Sequence, residues 1–269
     1  MNYARLLTIL FLALAVAGCS SSGSQRDGSG RGGEQREQTA EQMYNQAQRQ
    51  MERRDYSGAA ETLENLQARY PFGPYFKQAQ LDLINTYFQQ EEMGSAIAAA
   101  DRFIRLNPRD EHVPYAIYMR GRSNLERGND LLTRTFGIDR RVRDPSPLRE
   151  AMNDFMRVAE NYPDSEYAND SRERVGQLRR DLAYHEMHVT RWYMSRGAYV
   201  AAANRAMGVV ENFQGTPQVQ EALGVLVDAY SALELDDLRR DVLRIIEENY
   251  PDHPSLRDRR RFLPRLGME

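Results

Sequence analysis

Apolar residues recur at steps of four and three along most of the chain, the spacing that lines one face of an α-helix. The series read Ala59, Leu63, Leu66; Ala96, Ala100, Phe103; Ala151, Phe155, Val158; and Ala202, Ala206, Val209. A fifth, Leu243 and Ile246, has Arg239 where the others begin with alanine. Each series runs into a similar phrase: Ala68-Arg69-Tyr70-Pro71, Arg105-Leu106-Asn107-Pro108, Glu160-Asn161-Tyr162-Pro163 and Glu248-Asn249-Tyr250-Pro251. One copy, Glu211-Asn212-Phe213-Gln214, lacks the proline. Proline has no N–H to continue the helical ladder, so these phrases mark helix ends. A second amphipathic helix precedes each series across a short turn, Asp55-Tyr56-Ser57-Gly58 in the first case and Arg196-Gly197-Ala198-Tyr199 in the fourth. The predicted unit is helix, turn, helix, written five times.

From Pro71 to Pro108, and again from Gln214 to Pro251, the period is 37 residues. That is close to the ~34 residues of a tetratricopeptide repeat, whose small, apolar, apolar, proline pattern the series resemble. The expected fold is all-α, a tetratricopeptide-repeat superhelical solenoid over residues 39–256, because one helix pair cannot bury its own apolar face and needs its neighbours. The repeats are expected at about 39–72, 73–109, 110–164, 165–215 and 216–252. Repeats three and four exceed the period. In the third the surplus, 128–147, holds Phe136-Gly137-Ile138-Asp139-Arg140 and Asp144-Pro145-Ser146-Pro147, and reads as an ordered loop. In the fourth, Tyr167 to Ser195 has no proline and one glycine, Gly176, so it reads as an unusually long helix.

The ends differ in character from this body. Arg5, the apolar run Leu6 to Val16 and the small residues before Cys19 form an export signal expected to be cleaved after residue 18. The run is too short to span a hydrocarbon core of about 30 Å. Val16-Ala17-Gly18-Cys19 resembles the bacterial lipobox, which implies that Cys19, the single cysteine, carries a diacylglycerol and an N-acyl chain. Three acyl chains exceed what stable anchoring requires, and Ser20 in place of an aspartate points by the same resemblance to the outer membrane. Residues 19–38 read as a flexible Ser/Gly-rich tether. Gly28, Gly30 and Gly33 spell G-x-G-x-x-G, but no strand or βαβ unit surrounds them, and low complexity explains them. Residues 257–269 form a basic tail that reads first as a solvated chain end, with contact to an acidic partner or anionic headgroups as the alternative.

Net charge of −3 gives no whole-chain attraction to nucleic acid. Of the four histidines only His185-Glu186-Met187-His188 invites a metal reading, and its second histidine falls one position short of H-E-x-x-H. No nucleophile motif or phosphate loop is present, so the expectation is no enzyme, no metal and no cofactor beyond the covalent lipid.

Four phrases go beyond a generic repeat: Arg69-Tyr70-Pro71-Phe72-Gly73-Pro74-Tyr75, Arg102-Phe103-Ile104-Arg105-Leu106-Asn107-Pro108, Phe136-Gly137-Ile138-Asp139-Arg140 with Arg143-Asp144-Pro145, and Arg196-Gly197-Ala198-Tyr199-Val200-Ala201. They resemble the BamD family of outer-membrane protein assembly factors, from Cys19 to about Pro251. The resemblance implies a periplasm-facing scaffold of the β-barrel assembly (BAM) complex. Such a scaffold binds the barrel subunit BamA and other BAM lipoproteins and receives unfolded outer-membrane proteins. By residue, it places Arg205 and Arg196 against BamA and Tyr70, Phe72, Tyr75 and Tyr193 against substrate. A helix-end packing role for Tyr70 stands beside this, since Tyr162 and Tyr250 occupy equivalent places. The rival reading is a periplasmic tetratricopeptide adaptor that recruits cell-wall enzymes; it would share the fold but lack those phrases.

Overall fold

The computed structural model describes residues 38–127, 137 and 139–257. The export signal, Cys19, nearly all of the tether, most of the 128–138 stretch and the tail beyond Arg257 lie outside the described residues. Among the described residues the regular structure is helical: α1 (Ala40–Glu52), α2 (Tyr56–Arg69), α3 (Phe76–Gln89), α4 (Met93–Leu106), α5 (Val113–Arg127), a 3-10 turn (Arg140–Val142), α6 (Ser146–Asn161), α7 (Ala168–Ser195), α8 (Tyr199–Asn212), α9 (Gln218–Ala232) and α10 (Asp236–Asn249). Each helix packs on the next in sequence, and α3 on α5 and α7 on α9 besides. This nearest-neighbour order is that of a tetratricopeptide-like solenoid of five helix pairs, as the periodicity requires.

The alanines that open each series, Ala59, Ala96, Ala151 and Ala202, are fully buried, and so are the larger residues one and two turns on. Those residues knit four successive clusters rather than one central core. The first joins α1, α2 and α3 through Leu63, Leu66 and Leu83. The second joins α3 to α6 through Ile84, Phe103 and Ile117. The third links α6 and α7 through Phe155 and Leu182. The last joins α7 to α10 through Met187, Leu223 and Ile246.

Two turn designs recur. Within a pair, the first helix ends in a Schellman motif. Asp55 N–H reaches the Gln50 carbonyl and Arg54 N–H that of Met51; Glu92 and Glu91, Ala198 and Gly197, and Leu235 and Glu234 repeat this after α3, α7 and α9. The left-handed position is taken by Arg54, Glu91 and Glu234 with φ of 60°, 60° and 59°, and once by Gly197. After α1, the Asp55 carboxylate caps Gly58 N–H at 3.0 Å, and a Cβ on Gly58 would lie 2.4 Å from Asp55 Oδ2. Between pairs, the carbonyl of the third residue of each helix-ending phrase accepts from the N–H three residues on, and the carbonyl of that residue accepts in turn from the N–H three residues later. The ladder Tyr70, Gly73, Phe76 recurs as Asn107, Asp110, Val113, then Tyr162, Ser165, Ala168, then Phe213, Thr216, Val219, and Tyr250, His253, Leu256. The copy without proline makes the same turn, with Gly215 at φ 80° supplying the bend. After the fifth ladder the chain is helical again at 254–257.

The long helix expected in the fourth repeat is α7, 28 residues. Of the expected loop at 128–147, the described part is a 3-10 turn and the start of α6, which begins at Ser146, inside the expected loop. Arg141 holds the turn against α7: its guanidinium pairs with Asp139 and lies 4.0 Å over the Tyr184 ring, and its carbonyl is 2.9 Å from His185 Nδ1.

Candidate functional site

Arg205 projects from the second turn of α8 and meets Glu186 of α7, Nη1 to Oε2 at 2.7 Å. The other oxygen of that carboxylate accepts from Arg149 Nη2 of α6, also at 2.7 Å. Glu186 is 9% exposed, whereas the Arg205 and Arg149 side chains are 45% and 51% exposed. One nearly buried carboxylate thus holds two half-exposed guanidinium groups, one from each flanking helix. The three line a recess of about 320 Å³ with Asn204, Gly208 and Phe213. Arg205 spends one nitrogen on Glu186, and no other described residue takes its remaining donors, which suits a second carboxylate arriving from outside. The family resemblance singles out Arg205 but gives no sign of Arg149 or of Glu186, which lies in the His185–His188 stretch weighed for metal. No group of three His, Cys, Asp or Glu converges to hold a metal among the described residues.

The same device occurs with reversed charge two helices earlier. There Arg120 of α5 is gripped by Asp154 of α6, with Nε 3.1 Å from both oxygens, and by Asp101 of α4. Burial pushes the Asp154 carboxyl up in spite of Arg120, so this pair is a packing bolt rather than an open site.

At the α7–α8 turn, exposed Arg196 lies 5.2 Å over the ring of Trp192, itself 52% exposed and edge-on to Tyr193 at 5.1 Å. Val200, in the first turn of α8, is 59% exposed. Arg205 follows about 7.5 Å further along that helix. Basic and aromatic groups therefore share α8 and its entrance, the mixture that anchors polypeptide interfaces.

The aromatic residues of the first connector separate into two kinds. Tyr70 is half-buried against the first cluster and its hydroxyl donates to the Gln38 carbonyl at 2.7 Å. Tyr75 stacks on Tyr44 of α1, centroids 5.0 Å apart. Phe72, between them, is 99% exposed. Tyr162 and Tyr250, at the places equivalent to Tyr70, also pack on their local clusters. Beside this group, Asp82 of α3 accepts from Gln48 Nε2 at 2.8 Å and Gln78 Nε2 at 3.0 Å, and burial pushes its carboxyl up.

A ladder of helix pairs, each stacked on the one before, defines a class, the tetratricopeptide-type solenoids. Residues 36–245 match the outer membrane lipoprotein family YfiO. The chain is 34% identical over 254 residues to the outer membrane protein assembly factor BamD of Neisseria meningitidis serogroup B, covering 94% of each. It is 33% identical over 249 residues to that of Vibrio cholerae serotype O1, covering 93% of this chain and 99% of the other. The chain belongs to the BamD family. Among solved structures, the crystal structure of MamA protein aligns over 85% of this chain and 98% of that one at 15% identity and a TM-score of 0.37, too distant a likeness for inference.

Proposed function

We propose that this protein is a non-enzymatic scaffold of the β-barrel assembly machinery, tethered to the outer membrane through acylated Cys19 and facing the periplasm. It binds a BamA-like barrel subunit around Arg205 and Arg196, contacts other lipoproteins of the complex, and receives unfolded outer-membrane proteins at the aromatic residues Tyr70, Phe72, Tyr75 and Tyr193. What carries this reading is the relationship over nearly the whole length to proteins named as outer membrane protein assembly factors. The geometry supports it at one point above all: Arg205 stands half-exposed with donors to spare, on a helix whose entrance is lined by Arg196 and Trp192. Among the described residues no helix is long and apolar enough to cross a membrane, which is compatible with attachment through lipid.

The test is retention of partners from detergent-solubilised membranes by the wild type, Arg205→Ala and Arg205→Glu. Recovery of a barrel-forming protein by wild type, reduced by Arg205→Ala and lost with Arg205→Glu, supports the complex and the contact. Retention indifferent to both changes keeps the complex and discards Arg205. Cell-wall enzymes without any barrel protein would replace this reading with the adaptor one.

A further inference from the structure

Between α6 and α8, with α7 as its floor, the recess at Arg205 continues into a second one of about 450 Å³, and Asn212 and Phe213 line both. The second recess is walled by Met152 and Met156 of α6, Val175 of α7 and Phe213, each only half-buried. Arg149, Met152 and Met156 follow one another at steps of three and four along α6, so one helix face carries the groove from a charged end to an apolar end. On the opposite wall Gly208 stands in the interior of α8 and lines the Arg205 recess. A Cβ added there would meet nothing within 4 Å. Glycine weakens a helix interior relative to alanine, and at Gly121 the close approach of Phe155 accounts for it. At Gly208 no described residue approaches in that way, so the missing side chain keeps the groove open rather than relieving a clash.

The two ends differ in charge. At the first, the guanidinium groups of Arg149 and Arg205 share one carboxylate, Glu186, both of whose oxygens are taken. Two cations against one anion leave a positive charge uncompensated among the described residues, and both arginines are half-exposed. At the other end Arg179 is turned onto the carbonyls of Asn212 and Gln214, and exposed Glu160 and Arg172 cancel in charge. An excess positive charge beside uncovered thioether and aromatic surface fits a segment that carries an acidic and an apolar side chain together.

We infer that this groove docks one segment of the partner proposed at Arg205, the barrel subunit. An acidic side chain of that segment sits between Arg149 and Arg205, and an apolar side chain of the same segment covers Met152, Met156 and Phe213. The inference rests on the proposed Arg205 contact and extends it from one arginine to a groove. Met152 and Met156 lie about 4.5 and 10.5 Å beyond Arg149 along α6, so the two partner side chains are two or three positions apart in an extended segment, or one turn apart in a helical one.

The test is the amount of barrel subunit retained from detergent-solubilised membranes by the full-length lipoprotein, with Gly208→Trp to fill the groove from α8 and Met156→Glu to charge its apolar end from α6. Each should lower retention at least about fivefold, as should Arg149→Glu, with melting temperatures within about 5 °C of wild type. If even the wild type retains no barrel protein, the Arg205 reading falls and this one with it. Retention lost with Arg205→Glu but unchanged by Gly208→Trp and Met156→Glu would leave the Arg205 contact standing and overturn the groove alone. Loss of some other protein in those two variants, while the barrel subunit stays, would give the groove a different occupant and overturn the inference. A larger fall in melting temperature in both would do the same, since it would show that the space is not free.

Discussion

A single carboxylate can hold or shed stability depending on what faces it, and two aspartates on neighbouring elements show both signs. Asp110 is nearly buried, and burial alone would push its carboxyl up. The bonds from Lys77 Nζ at 2.7 Å and from the His112 backbone N–H at 2.9 Å outweigh that and bring it down to about 2. A depressed folded pKa means stability that is present above the usual carboxylate range and lost as pH falls toward 2. Chemical unfolding followed from about pH 5 down to pH 2 should therefore fall less steeply in Asp110→Asn than in wild type. Asp82 has the opposite sign. Its partners are all neutral, the amides of Gln48 and Gln78 and the Tyr44 hydroxyl, and burial raises its pKa, so the charged form is disfavoured in the fold and Asp82→Asn should raise the melting temperature at pH 7. Phe72 touches almost nothing. Phe72→Ser should leave unfolding free energy within about 0.5 kcal/mol of wild type while reducing cross-linking to an unfolded outer-membrane protein.

At the scale of the element, helix count and helix ends were legible because each is written in local chemistry. Proline after the helix, alanine at its start and apolar residues at steps of four and three all act within a turn or two. The copy ending Phe213-Gln214 shows that the proline is a marker rather than the cause, since Gly215 makes the same connector. What the sequence could not show was pairing across helices. Nothing in the spacing of Arg149, Glu186 and Arg205 says that three helices bring them to one point. The turns yield a prediction of their own. Glu234 adopts φ 59°, a left-handed conformation that costs an L-residue about 1 kcal/mol. Gly197 fills the equivalent place in the preceding pair without that cost, and Glu234→Gly should gain about 0.5–1 kcal/mol by denaturant unfolding. A glycine inside α5 works the other way. A Cβ on Gly121 would lie 3.0 Å from Asp154 Cβ and 3.1 Å from the Phe155 ring, so Gly121→Val should destabilise by about 1–3 kcal/mol.

For the molecule as a whole, stability is a sum over neighbours, because four clusters follow one another along the chain. Phe103 is fully buried in the second of them, and Phe103→Ala should cost about 3–5 kcal/mol there. Hydrogen exchange should then speed up in α3, α4 and α5 while α9 and α10 keep their protection; uniform loss across all helices would show a single cooperative unit instead. The family was likewise readable over the body, where the described parts of its phrases lie at helix ends and in the turns between helices. The residues proposed to face partners were readable only as surface residues of the right type, since an exposed arginine carries the same local signature whether or not a partner exists.

Because every helix rests on the one before it, formation of the native state never waits for a distant stretch of chain. Contacts close over one repeat length, so the loop entropy of each step is small and acquisition of structure can spread from any nucleated pair. A polypeptide delivered N-terminus first can settle α1 against α2 while α10 is still to arrive, and the order of emergence becomes an order of assembly.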